Sequence, residues 1–223
     1  MTFTEDAVEK IASEVISRLK MKGENALPGI PVGVSNKHIH LSQEDLEILF
    51  GKGYELTRMK DLGQPGQYAA KETLCVAGPK GSFTGTRVLG PVRKESQVEI
   101  SRTDAYQLGV NPPVRASGDL NGGADVCLIG PAGMLALKSK VIIAKRHLHM
   151  TPAEASLFGV SDGDIATLTC DSERKCHFCD TIVRSASASA LEFHIDTDEA
   201  NAAGIRNGMF ARIESVKRKL TRS

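Results

Sequence analysis

Lys37-His38-Ile39-His40-Leu41-Ser42 and Arg146-His147-Leu148-His149-Met150-Thr151 are two versions of one phrase. Each sets two histidines around one aliphatic residue and follows them with a hydroxyl residue. Each then runs on, for about two helical turns, to Leu49-Phe50-Gly51 or Leu157-Phe158-Gly159. On a strand, alternate side chains share a face, so both imidazoles of a pair project together from positions about 7 Å apart at Cα. Rings so placed can reach one metal ion. Of the 6 histidines in the chain, these pairs hold all but His177 and His194.

A second phrase also occurs twice. Val98-Glu99-Ile100 leads to Thr103-Asp104-Ala105 and Gly109-Val110, while Phe193-His194-Ile195 leads to Thr197-Asp198-Glu199-Ala200 and Gly204-Ile205. Aligned with single-residue gaps, Glu99 falls opposite His194. Each half therefore offers two histidines and one further ligand-type residue on a later strand: His38, His40 and Glu99, then His147, His149 and His194. Two histidines with a carboxylate, or three histidines, are the usual protein share of a catalytic zinc site with one position open. The expectation is two zinc ions per chain, one per set, facing each other across a pseudo-twofold. Zinc can polarise a carbonyl, activate water or hold a thiolate, and the histidines alone do not choose among these.

Between these phrases the text is mostly β. Short apolar or alternating runs recur at 74–77, 87–89, 98–101, 126–129, 140–144, 165–170, 181–184, 191–195 and 209–213, punctuated by Gly78-Pro79, Gly90-Pro91 and Gly130-Pro131. Little helical text separates them, which predicts small closed or nearly closed barrels instead of an open parallel sheet. The helices mark the repeat. Thr151 with Pro152 and Glu154 forms a full capping box, and Ser42 with Asp45 a weaker one. The expected fold is mainly β: two small β-barrel domains related by an internal repeat, with short capping α-helices. Residues 37–144 form the first barrel, 145–215 the second, and 216–223 a basic tail.

Ahead of the barrels, residues 5–20 carry Val8, Ile11, Ala12, Val15, Ile16 and Leu19 on one helical face. This amphipathic helix occupies 1–22, and a linker with Gly23, Pro28, Gly29 and Pro31 opens the segment 23–36. The helix either packs on its own domain or a partner subunit, or lays its stripe in another protein's groove.

Composition narrows the function. The 223 residues are 41% hydrophobic and 25% charged, with net charge +1, 4% aromatics and no Trp. Neither a nucleic acid nor a membrane is called for as partner. Five cysteines without framework spacing read as thiols of a reducing compartment. Cys176 and Cys179 are expected to be free loop thiols, and Ser185–Ala190 a flexible loop beside Arg184. Arg93 and Arg184 precede the third ligand-type residue of each half. A guanidinium in a site binds phosphate or carboxylate through its planar fork, whereas the plainer reading is two surface arginines on strand ends.

With these residues assembled, the chain from about Ile30 to Ser215 resembles the phosphate propanoyltransferase family, the phosphotransacylases of bacterial microcompartments. The motifs that carry the resemblance are Val34-Ser35-Asn36-Lys37-His38-Ile39-His40-Leu41, Gly90-Pro91-Val92-Arg93, Gln97-Val98-Glu99-Ile100-Ser101 and Lys145-Arg146-His147-Leu148-His149. The resemblance implies two barrels with an intertwined chain path, the first strand within 23–36 pairing with the second barrel, a dinuclear zinc site and a homodimer. It implies that acyl-CoA (propanoyl-CoA or acetyl-CoA) and phosphate exchange with acyl phosphate and CoA. Zinc ligands fall on the two sets above; catalytic roles fall on Arg93, Gln97, Ser117 and Arg184, and substrate binding on Ser35, Gln64, Gln67, Arg93 and Asn201. Residues 5–20 look like the family's targeting peptide, which engages shell or core proteins and implies a location in a microcompartment of the cytoplasm. The alternatives are a zinc hydrolase of an ester or amide, and a non-catalytic microcompartment component.

Overall fold

The computed structural model describes residues 27–219, so the apolar stripe at 5–20 lies outside the described residues. In chain order the strands are β1 (Ile30–Ser35), β2 (His38–His40), β3 (Arg58–Asp61), β4 (Tyr68–Ala77), β5 (Ser82–Gly90), β6 (Gln97–Glu99) and β7 (Val114–Arg115). There follow β8 (Ala124–Ile129), β9 (Met134–Ala144), β10 (His147–Met150), β11 (Ile165–Cys170), β12 (His177–Ser185), β13 (Glu192–Asp196) and β14 (Phe210–Lys217). The short helices are α1 (Gln43–Phe50), α2 (Arg102–Leu108), α3 (Pro152–Leu157) and α4 (Thr197–Ala203).

These strands close into two barrels of equivalent design. One runs β1-β13-β10-β12-β11-β14 and returns to β1. The other runs β9-β6-β2-β5-β4-β8 and returns to β9, with β3 and β7 attached at β4 and β9. Position by position, β2 corresponds to β10, β6 to β13, β5 to β12, and β9 to β1. The last correspondence exchanges strands. β1 immediately precedes β2 in the chain, yet it pairs with β13 (Val32 opposite Phe193) and β14 (Ile30 opposite Ala211). Likewise β9 precedes β10, yet it pairs with β6 (Val98 opposite Val141) and β8. Each half lends its leading strand to the barrel of the other.

Each barrel fills its own interior. Ile39, Leu41, Leu74, Val88, Val98 and Val141 pack in one; Ile30, Val32, Leu148, Met150, Phe193 and Ile195 pack in the other. Ile39 and Leu148, the residues between the paired histidines, are both 0% exposed. Full burial of such an aliphatic chain is worth about 1.5–3 kcal/mol, which fixes the register and turns both imidazoles to the opposite face.

The helices start where their caps place them. Thr151 and Glu154 satisfy each other's backbone N–H groups in a complete capping box, as do Ser101 with Asp104 and Asp196 with Glu199. At α1, Ser42 accepts from the Asp45 backbone N–H, but the reciprocal bond is relayed: the Ser42 N–H donates to Ser96 Oγ, whose hydroxyl donates to the Asp45 carboxylate. The strand expected at 98–101 ends at Glu99, because Ser101 is engaged as the cap of α2. Strand β14 extends to Lys217, so the basic tail begins later than the charge run suggests. Of the two expected loop thiols, Cys176 is in the loop before β12 and Cys179 is in the strand itself. Cys176 packs half-buried against the core at the mouth of β12, and Cys179 lies exposed within β12 beside a bulge where Asp180 has φ 55°.

Candidate active site

The pairing registers bring the ligand-type residues together. In the first barrel His38 stands opposite Glu99 and His40 opposite Gln97 across β2 and β6. In the second, His147 stands opposite His194 and His149 opposite Glu192 across β10 and β13. Directly opposed residues share a face, so each barrel carries a square of four polar side chains. Within each square, the ligand atoms of His38, His40 and Glu99, or of His147, His149 and His194, all lie within 4.8 Å of one another. The ring centroids of His38 and His40 are 5.0 Å apart, and those of His147 and His149 4.6 Å.

The same backbone device orients the first histidine of each pair. His38 Nδ1 is 2.8 Å from the carbonyl oxygen of Asn36, and His147 Nδ1 is 2.8 Å from that of Lys145. Donation to that carbonyl leaves Nε2 with its lone pair facing the cluster, the arrangement found behind most metal-bound imidazoles. His40 Nδ1 is buried and has no hydrogen-bond partner among the described residues. A buried nitrogen in that state calls for a ligand of another kind, since buried polar atoms are otherwise satisfied. Burial pushes His40 down to about 3, His147 to about 4 and His149 to about 3, in each case with a neighbouring histidine adding to the effect. These rings are therefore neutral near pH 7, with lone pairs free to coordinate. Burial also opposes charge on His38 and Glu99, but their mutual attraction outweighs it, raising His38 and holding Glu99 well below the carboxylate range. By donor type, number and proximity both sets fit a tetrahedral divalent metal with one position open.

The two sets share one electrostatic space. Burial lowers His147 of the second barrel and Glu99 of the first opposes that slightly; burial also lowers the Arg93 guanidinium of the first, with Glu99 opposing and Arg184 of the second adding to the effect. Arg184 lies in β12 opposite His149. Arg93 comes from the segment after β5, held by its backbone N–H to the Leu41 carbonyl at 2.8 Å. The two arginines thus enter from non-equivalent positions. Arg93 Nη1 reaches Ser117 Oγ at 3.4 Å, and Arg184 makes no side-chain hydrogen bond or ion pair among the described residues. Among the described residues neither guanidinium forms an ion pair, although Glu99 attracts Arg93 through space, and two such groups together suit an anion.

The remaining expected residues divide. Ser117 Oγ donates to Glu99 Oε1 at 2.7 Å, and Gln97 Nε2 also bonds that oxygen while its Oε1 accepts from the Gly118 N–H at 2.9 Å. Both residues therefore brace Glu99. Ser35 ends β1 on the same face as Gly33, where an added Cβ would lie 2.7 Å from His194 Cδ2. Gln67 lies half-buried in the turn before β4, where its backbone N–H bonds the Gln64 carbonyl at 3.1 Å. Asn201 is exposed on α4, with no side-chain bond to either cluster among the described residues. Gln64 has its side chain engaged within the protein, donating to the Ala190 carbonyl at 3.0 Å and to Glu192 Oε2 at 3.1 Å and accepting from the Ala190 N–H at 3.2 Å.

Glu192 is the member of the squares that residue spacing did not single out. Its Oε2 is 2.6 Å from His194 Nε2. The signal was present: Gln97-Val98-Glu99 and Glu192-Phe193-His194 align, placing a long polar residue two before the third ligand-type residue in both halves.

Comparison with known proteins bears on this geometry. The sequence profile of the phosphate propanoyltransferase family matches residues 31–206, which include both three-residue clusters. A Thermotoga maritima protein named phosphate propanoyltransferase is 60% identical over 182 residues, covering 81% of this chain and 87% of its own. Proteins of the same name from Lachnoclostridium phytofermentans and Rhodobacter capsulatus are 48% and 44% identical; they cover 94% and 96% of this chain and 99% and 100% of their own lengths.

Proposed function

Because the chain belongs to the phosphate propanoyltransferase family, it is a phosphate acyltransferase, and we propose that it works at a dinuclear zinc site on short-chain acyl-CoA. In this reading, propanoyl-CoA or acetyl-CoA and phosphate exchange reversibly with acyl phosphate and CoA. The observation that supports it best is the mirrored pair of three-residue clusters beside two guanidiniums that form no ion pair among the described residues.

His38, His40 and Glu99 would hold one zinc, and His147, His149 and His194 the other. Bound there, zinc supplies Lewis acidity for a carbonyl or phosphate oxygen and stabilises a thiolate. The protein's own groups account for the rest. Arg93 and Arg184 bind and orient the phosphate dianion, whose charge relieves their mutual repulsion. A phosphate oxygen then attacks the thioester carbonyl, the C–S bond breaks, and CoA departs as thiolate while the acyl–phosphate bond forms. Holding both reactants together supplies much of the acceleration by removing the entropy of their encounter. Ser117 and Gln97 hold the Glu99 carboxylate in place beside Arg93, and His38 more than Ser117 offsets the burial that opposes its charge. Ser35, Gln67 and Asn201 remain substrate-binding residues on the strength of the family resemblance.

The reading includes a homodimer, and a place in a bacterial microcompartment reached through residues 5–20, whose apolar stripe calls for a covering partner. The deciding assay is release of CoA from propanoyl-CoA with and without phosphate. Transfer requires phosphate and yields acyl phosphate. Release independent of phosphate would make the protein a hydrolase, and no release at all would make it a non-catalytic component.

A further inference from the structure

Behind the His147/His149/His194 cluster, a carboxylate is seated with more care than a surface residue receives. Glu192 occupies the fourth corner of the second barrel's square, opposite His149, with its Oε2 2.6 Å from His194 Nε2. The loop between β3 and β4, which belongs to the first barrel, reaches over to it. There Gln64 Nε2 donates to Glu192 Oε2 at 3.1 Å, while the rest of the Gln64 amide is clamped to both backbone groups of Ala190. Two glycines complete the seat. A Cβ on Gly63 would fall 2.5 Å from Glu192 Oε2, and one on Gly33 would fall 2.8 Å from Glu192 Oε1. No side chain fits at either position without moving the carboxylate, and neither glycine has the positive φ that would explain it otherwise.

We propose that Glu192, held by Gln64 in the Gly33/Gly63 cradle, is the positioning residue of His194: it accepts the N–H of one ring nitrogen and so presents the other nitrogen's lone pair to the metal. This deepens the zinc reading above and rests on it. The first barrel shows the complementary solution at the equivalent corner. There the third ligand is a carboxylate, Glu99, and the residue two before it is an amide donor, Gln97. Where the third ligand is an imidazole, the residue two before it is a carboxylate acceptor. Donor stands behind acceptor and acceptor behind donor, so each site receives one carboxylate, inside the ligand set of the first and behind the ligand set of the second. The second site is therefore less positive than three neutral histidines alone would make it. Gln64 is a strut in this arrangement, with no amide group left for substrate. Because it is borne on the first barrel, it makes the second site's geometry depend on how the two barrels seat against each other.

The test titrates zinc into metal-free full-length protein in competition with a chromophoric chelator, for wild type, Glu192→Gln, Gln64→Ala and Gly63→Ala. Loss of a carboxylate behind a metal-bound histidine weakens binding roughly 10- to 100-fold. Glu192→Gln is expected to weaken one of the two zinc-binding steps by that factor and leave the other unchanged. The thermal midpoint of the metal-free protein should stay where it is in wild type. Gln64→Ala and Gly63→Ala should weaken the same step to a lesser extent. Two zinc steps identical to wild type in Glu192→Gln would overturn the assignment while leaving the dinuclear reading intact. Equal weakening of both steps, or a lowered metal-free midpoint, would make Glu192 a residue of general stability and also overturn it. A wild-type protein that binds fewer than two zinc ions would end the dinuclear reading, and this inference with it.

Discussion

Arg93→Lys separates charge from shape at the anion receptor. The lysine keeps the positive charge beside Glu99 and opposite Arg184, so the field that steadies the first cluster is preserved. Glu99 also keeps its bonds from Ser117 and Gln97, neither of which needs Arg93. What disappears is the fork: a guanidinium can offer phosphate two parallel N–H donors, an ammonium one directed donor at a time. A charged hydrogen bond contributes about 1.5–3 kcal/mol, and 1.4 kcal/mol is a factor of ten, so the KM for phosphate should rise roughly 10- to 100-fold. The KM for propanoyl-CoA should move by less than about twofold, since no bond to the thioester is altered. Initial rates of CoA release over a grid of both substrates provide both constants from one preparation. Equal rises in both constants, or an unchanged phosphate KM, would refute the assignment of Arg93 to phosphate.

Metal analysis should find about two zinc ions per chain, falling towards one when His147 and His149 are both replaced by alanine, with the protein still soluble; full activity after chelation would defeat the metal reading. Deleting residues 1–22 should leave kcat and both KM values unchanged and abolish encapsulation in a shell-forming host; an activity loss in step with the deletion would make that segment part of the catalytic unit. Leu148→Ala removes a side chain that is 0% exposed between two site histidines, so it should cost about 2–5 kcal/mol in urea unfolding. A loss under about 1 kcal/mol would mean that the interior of the second barrel repacks freely.

Much of the site was legible because strand alternation is local information. His38-Ile39-His40 announces two rings on one face and an aliphatic residue on the other, and the pairing of β2 with β6 then sets Glu99 beside them. The alignment of Glu99 with His194 held for the same reason, as both are directly opposite the first histidine of their pair. The capping box of Thr151 and Glu154 was legible too, being contained within four residues. What escaped the residue pattern lies far apart along the chain. Gln64 meets Glu192 across 128 positions, and no local periodicity records such a meeting. Arg93 and Arg184 each precede a third ligand-type residue, but one follows β5 and the other lies inside β12. Cys179 looked like a loop residue because a bulge interrupts the alternation of β12. The exchange of β1 and β9 was implied by family resemblance alone, since a strand's sequence does not say which barrel it will close.

That exchange imposes an order on biosynthesis. The barrel containing β2 can close once β9 has left the ribosome, since all its strands lie between His38 and Ala144. The other barrel needs β1, which precedes every other described strand, and β13 and β14, which follow the rest: Val32 waits for Phe193 and Ile30 for Ala211. Until then the nascent chain carries β1 as an unsatisfied strand, a natural target for a chaperone or for mispairing with a neighbouring copy. Cutting the gene between Ala144 and Lys145 would accordingly yield unequal pieces. The N-terminal product would hold one complete barrel and a spare strand, and the C-terminal product a barrel with an open seam. Mixed, the two should reassemble by donor-strand complementation, and the three-histidine cluster on β10 and β13 should form only when they do.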